Sequence, residues 1–221
     1  SWESTPAGMF KGTFRTQGVL LPADDGRLAL LVSADSACAT INRSDWKLDP
    51  FSMYIAPEQI SFEENLHIAS DNTQHLTIGG AIARDVSDTL EVDFKGIDLG
   101  YLLSLVKLDG ISFGGNMSGH ADMASLYSGQ PYIEGTVSAK DFTFCNGSLG
   151  NLDGRVFWNQ DETQLQFDAD VWETPRRTTV IDGVVDLKRN ELWLDIMADS
   201  TNVAFLNSML GSFMGNIKGN A

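Results

Sequence analysis

The sequence predicts a mainly β protein: a repeat-built, antiparallel, strongly curved sheet, open as a trough or partly closed as a barrel, with two short amphipathic helices. Three observations predict it. Short segments of strict apolar/polar alternation, bounded by breaks such as Asn146-Gly147, Asp153-Gly154 and Thr174-Pro175, fill most of the chain. A unit of strand, strand, short helix and glycine-rich strand occurs twice, about a hundred residues apart. The strands carry one apolar and one wet face, so the sheet must cover its apolar face by curling or by stacking.

Taken in order, residues 8–21 (GMFKGTFRTQGVLL) set Phe10 and Phe14 among glycines and polar residues, a strand and a turn before Pro22-Ala23-Asp24-Asp25-Gly26. The run Leu28-Ala29-Leu30-Leu31-Val32 reads as a strand. From Ile41 to Ile68 a meander of short strands follows, with breaks at Asp49-Pro50, Ala56-Pro57 and Glu63-Glu64-Asn65.

The first repeat opens at His75 and pairs Ile78-Gly79-Gly80-Ala81-Ile82 with an alternating strand in which Leu90, Val92 and Phe94 oppose Glu91, Asp93 and Lys95. Leu99, Leu102, Leu103 and Val106 then recur at helical spacing before Asp109-Gly110 ends the run. Glycine-rich GNMSGHA at 115–121 completes the unit, its glycines read as places for a sheet to bend. Residues 122–131 read as a helical turn or a loop, and strands resume as YIEGTVSAKDF, FTFCNGSL, GRVFWNQ, TQLQFDADV and RTTVIDGVVDL. In the second copy Ile181 and Val185 match the first strand, Leu192, Leu194 and Ile196 the second, Phe205, Leu206 and Leu210 the helix, and GNIKGNA at 215–221 the last strand. The divisions are therefore a β-meander over 1–75, a first repeat over 76–177 and a truncated second repeat over 178–221, together one continuous β-array. The second copy stops mid-pattern at Ala221, so the chain reads as a piece of a longer protein.

Composition narrows function. A hydrophobic content of 43% supports a packed core, and 30 acidic against 15 basic residues give a net charge of −15, which argues against nucleic acid as a partner. No run approaches the ~20 apolar residues of a membrane-crossing helix. Cys38 and Cys145 are too few for a disulfide framework; whether they pair is open.

No catalytic or metal constellation emerges. His67, His75 and His120 lie on separate segments with no carboxylate or cysteine at ligand spacing, so no metal or cofactor is expected and the chain reads as a non-enzyme. Gly114–Gly119 lacks the Lys-Ser/Thr of a phosphate loop, and Gly147-Ser148-Leu149-Gly150 is no nucleophile elbow. The pairs Asp168/Asp170, Asp182/Asp186 and Asp24/Asp25 sit where alternation or turns already require polarity. Among the tryptophans, Trp172 and Trp193 fall out of phase with their apolar neighbours, as a carbohydrate platform needs, whereas Trp158 is in phase with Val156.

The segments LEVDFKGIDLGYLLSLVKLDGISFGGNMSGHADM and LWLDIMADSTNVAFLNSMLGSFMGNIKGNA resemble the repeats of the TamB-like family (translocation and assembly module, within the AsmA-like group) in its Bacteroidetes form. The resemblance covers Leu76 to Ala221, and Asp45 to Leu66 is similar to a stretch preceding those repeats; the first forty residues find no place in it. It implies a long periplasmic protein, anchored in the inner membrane by a segment outside this chain and working with an outer-membrane barrel partner. Its β-trough would carry phospholipid acyl chains or shelter outer-membrane protein strands, and no catalytic residues carry over.

The expected lining is Ile78, Ile82, Leu90, Val92, Phe94, Leu165, Phe167, Ile181, Val185, Leu192, Leu194 and Ile196. The alternative is a carbohydrate-binding or structural β-sandwich of a secreted or cell-surface protein, using Trp172 and Trp193. Exposed strand edges leave self-association of the chain open.

Overall fold

The computed structural model describes residues 2–3, 10–23, 26–41, 44–70, 73–83, 88–99, 112–127, 131–144, 147–160, 163–173, 176–186, 189 and 191–199. These are mainly antiparallel β with essentially no helix, and the sheet is not closed. The chain forms two compact units, Ser1–Lys95 with His120–Ile133, and Gly96–Gly119 with Glu134–Ala221.

The first unit holds β1 (Trp2–Glu3), β2 (Phe10–Thr13), β3 (Thr16–Pro22), β4 (Leu28–Ala34), β5 (Ala37–Ile41), β6 (Ser44–Leu48), β7 (Phe51–Ala56), β8 (Gln59–Glu64), β9 (Leu66–Ser70), β10 (Gln74–Ile82) and most of β11 (Thr89–Asp98). The strands come in couples, β2 with β3, β4 with β5, β6 with β7 and β8 with β9, separated by one or two residues. One member of each couple joins the ladder β2–β5–β6–β9–β10, the other the ladder β3–β4–β7–β8–β10. Local chemistry places the breaks. Pro50 has no N–H to give a ladder, and Gly80 takes φ of 81°, a conformation that side chains rarely adopt. Across the breaks the backbone is stitched by Asp35 N–H to the Arg15 carbonyl at 3.3 Å and Asp49 N–H to the His67 carbonyl at 2.9 Å. The expectation of one strand and a turn over residues 8–21 is corrected accordingly: β2 and β3 are two strands with the break at Phe14-Arg15.

The second unit takes the end of β11, most of β12 (Phe113–Ala124), and β13 (Tyr132–Phe144), then β14 (Gly147–Asn159), β15 (Gln164–Glu173), β16 (Arg176–Asp186) and β17 (Glu191–Ala198). From β13 to β17 each strand pairs antiparallel with the next. Its core is Ala139, Phe142, Phe144, Leu149, Leu152, Ala169, Val171 and Ile181, against which Leu99, Phe113, Val137 and Phe167 pack. Ala139, Leu152, Val171 and Thr179 stand in one cross-strand row. Directly opposed residues share a face, so alternation alone stacks them.

Three expectations change. Leu99 directly follows β11 and is in helical conformation, while Leu102, Leu103, Val106, Phe205, Leu206 and Leu210, assigned to the helices, lie outside the described residues. The strand YIEGTVSAKDF runs on to Phe144 as one strand, β13, because a bulge at Lys140-Asp141 (Asp141 φ 53°) lets the chain shift phase without ending. The glycine-rich segment does not end the strand: β12 runs through Gly114, Gly115 and Gly119 and on to Ala124, past the start of the expected turn. A Cβ on Gly115 would stand 2.8 Å from the Lys140 carbonyl oxygen, so this glycine admits the bulged backbone of β13.

Candidate functional site: apolar sheet faces

In the first unit, register collects the expected lining residues. Leu48, Ile68, Leu76 and Phe94 form one row across β6, β9, β10 and β11, and Leu66, Ile78 and Val92 form the next. All are half-buried, so this apolar face is only partly covered. Ile82 and Leu90 are buried. Gly80 opposes Leu90, after which β10 leaves β11 and pairs Ala81 and Ile82 with Ser61 and Ile60 of β8.

In the second unit, Trp158, Leu165 and Val185 form a row, Val156, Phe167 and Gly183 the next, and Gly154, Ala169, Ile181 and Ile196 a third. By register Leu192 stands opposite Val185 and Leu194 opposite Gly183. The Phe167 ring lies over Gly183, occupying the space where a Cβ would be. Ile181 is buried, Leu165, Phe167 and Val185 are half-buried, and Ile196 is exposed. The described side chains of the expected lining thus fall on one face within each unit. Sequence reading missed residues that bury deeply here, Ala139, Phe142, Phe144, Leu149 and Leu152. Their signal was the phase change between Ala139 and Phe142, which was read as a strand boundary.

One polar atom sits in this face. The Trp158 indole N–H is buried and finds no acceptor among the described residues, a donor left unpaired there.

The opposite faces carry the charge. In the first unit His67, Thr77 and Asp93 form a cross-strand row, His67 Nδ1 lying 2.8 Å from Thr77 Oγ1, and the His67 and His75 rings stand 6.0 Å apart. His120 is held between two carboxylates, with Nδ1 2.8 Å from Asp93 Oδ1 and Nε2 3.0 Å from Asp122 Oδ1. The hydrogen bond to Asp93 is the main cause of a raised His120 pKa; Asp122 adds to it and desolvation opposes it. Pairing of β11 with β12 supplies Asp93, which spacing along the chain could not show, and spacing i, i+2 on one strand face supplies Asp122. The imidazole fills the space between the two carboxylates, an ion-pair clamp. Among the described residues no group of three His, Cys, Asp or Glu is placed to hold a metal ion.

In the second unit Asp168, Asp182 and Asp195 stand directly opposite one another across β15, β16 and β17. Arg155 bonds Asp168 Oδ2 through Nε at 2.8 Å and through a terminal nitrogen at 2.7 Å. With Gln166, Gly183, Val184 and Trp193 these aspartates line a shallow cleft of about 340 Å³. Trp193 is 45% exposed and Trp172 38%. Trp172 lies six positions beyond Gln166 on β15, about 20 Å along a strand, so the two indoles do not make one platform. Cys38 is a free, exposed thiol, and Cys145 lies outside the described residues.

No known family, no curated protein and no solved structure matches this chain.

Proposed function

We propose that this chain is a non-enzymatic segment of an envelope-bridging protein of the TamB-like kind, whose apolar sheet face carries phospholipid acyl chains or shelters apolar strands of outer-membrane proteins. In this reading it works in the periplasm, anchored to the inner membrane by a segment outside the chain and meeting an outer-membrane barrel partner. The sheet curls so that its apolar faces line a trough, and the charged faces keep the molecule soluble. The observation that carries the reading is the half-buried block Leu66, Ile68, Leu76, Ile78, Val92 and Phe94 in the first unit. Apolar surface there gains about 25 cal/mol per Å² on being covered, and the gain has no direction, so an acyl chain is held yet can slide.

The test is native mass spectrometry of the purified chain with organic extraction of what co-purifies. Phospholipid bound to wild type and lost from a folded Ile78→Asp, Phe94→Asp double variant is the expected result. Lipid binding undiminished in that variant sinks the assignment.

A second reading rests on Trp193, exposed beside Gln166, Asp168 and Asp182 in the outer cleft. Stacking of a sugar ring on the indole would make the segment a carbohydrate-binding domain. It predicts tryptophan fluorescence that responds to glycan, with the response lost in Trp193→Ala.

A further inference from the structure

Three histidines share the charged face of the first unit, and they are not equivalent. His120 has both ring nitrogens engaged, by Asp93 and Asp122. His67 has one engaged, Nδ1 lying 2.8 Å from Thr77 Oγ1. His75 has no hydrogen-bond partner among the described residues.

Register brings the last two together. Thr77 on β10 stands opposite His67 on β9, and His75, two positions before Thr77, points to the same side. The two ring centres are 6.0 Å apart, with the planes tilted by 36°. Two imidazoles bound to one ion at about 2.0–2.1 Å per nitrogen place their ring centres about 5–6.5 Å apart, depending on the angle at the metal. Both residues are half-buried, and the hairpin that carries them is paired continuously from Gln74 opposite Ser70 to Ile78 opposite Leu66. In the tautomer that donates Nδ1–H to Thr77 Oγ1, His67 Nε2 carries the lone pair a metal needs. The hydroxyl then holds the ring's orientation, as the hydrogen-bond partners of metal-ligating histidines do.

We propose that His67 and His75 form a two-histidine site for a divalent ion of the Zn²⁺, Ni²⁺ or Cu²⁺ kind, with Thr77 orienting the His67 ring and water in the remaining positions. Imidazole nitrogens favour these ions over Ca²⁺ and Mg²⁺, which ask for several oxygens. The surrounding charges act in the same direction. Asp93 is committed to His120 and Asp49 to Lys47 at 3.6 Å, while Lys95, opposite His75, repels a cation held by charge alone. The ion ties β9 to β10 on the charged face, opposite the apolar rows, so this inference is independent of the lipid reading.

The test is isothermal titration calorimetry of the purified chain, free of any histidine tag, with Zn²⁺ up to about 0.5 mM at about pH 7.5. Nitrogen-resolved NMR spectra of the histidine rings are read beside it. One ion per chain is expected to bind, with the His67 and His75 ring nitrogens shifting and those of His120 unmoved. His67→Gln and, separately, His75→Gln are expected to weaken binding at least about tenfold, and Thr77→Val, which keeps the shape and removes the hydroxyl, about tenfold. His120→Asn is expected to bind as wild type does, and Mg²⁺ at the same concentration is expected not to compete. The ring spectra read the site in the wild-type chain, so the test stands even where a variant loses its fold. Absence of saturable binding overturns the proposal. So does binding that survives both glutamine variants or is unchanged in Thr77→Val, or His67 and His75 ring signals that do not respond to the ion.

Discussion

The hairpins β10–β11 and β16–β17 are two copies of one sequence pattern, yet they are paired differently. In the first, Gly80 faces Leu90; in the second, the matching Gly183 faces Leu194, whose counterpart in the first copy is Val92. The second hairpin pairs all the way to Asp186 opposite Glu191. The first stops pairing at Gly80, because the end of β10 goes to β8. Local alternation is the same in both, so what differs is the neighbour. The first copy has β8 and β9 to satisfy as well as β11, and the φ of 81° at Gly80 is where the chain changes allegiance. Register answers to every strand that competes for a backbone edge, not only to the hairpin's own turn.

The largest effect should separate the two apolar strands. Leu90 is buried and Ile196, the counterpart of Phe94, is 41% exposed. Leu90→Ala is expected to cost about 2–5 kcal/mol in urea unfolding, and Ile196→Ala under about 1 kcal/mol. Equal costs would mean that the second hairpin is covered as fully as the first.

The glycines come next. A Cβ at Gly80 meets the Thr89 carbonyl and a positive φ, both fixed by backbone, whereas at Gly183 it meets the Phe167 ring, which can swing aside. Gly80→Ala should therefore cost about 1–3 kcal/mol. Gly183→Ala should cost less and shift the Phe167 environment, which a ring-proton NMR spectrum would show.

The smallest effect concerns the last strand of the unit, where His120 of the first copy corresponds to Asn220 of the second. With its folded pKa raised, the His120 clamp stabilises fully below the ordinary histidine value of about 6.5 and is lost as pH rises through the raised value. His120→Asn should therefore lower the urea midpoint at about pH 5.5, and the difference should shrink as pH rises through the raised value, where wild-type His120 loses its charge. The side chain is 43% exposed, so solvent screening keeps the loss under about 1 kcal/mol. A difference that grew with pH would show that the carboxylates, not the imidazolium, dominate the cluster.

Much of the face assignment was legible beforehand. Ile78 with Val92, and Leu165 with Val185, share faces as alternation demands, because side-chain direction in a strand is a local property with period two. Breaks such as Asp49-Pro50 and Ala56-Pro57 were legible for the same reason: turn chemistry belongs to the residues themselves. The candidate site was legible only as a list of in-phase residues. Which of them are buried was not, since Ile181 and Ile196 alternate identically and differ only in what lies beside them.

The sequence by itself determined the strand character, the alternating faces and the doubled pattern, all of which follow from residue order over a few positions. Tertiary structure decided the rest. It divided the edges of β10 among β8, β9 and β11, let a bulge at Asp141 bring Phe142 and Phe144 into the core with Val171, and set Asp93 against His120, twenty-seven residues away. Those outcomes depend on which distant backbone edges pair, a competition among long-range contacts that no local period encodes.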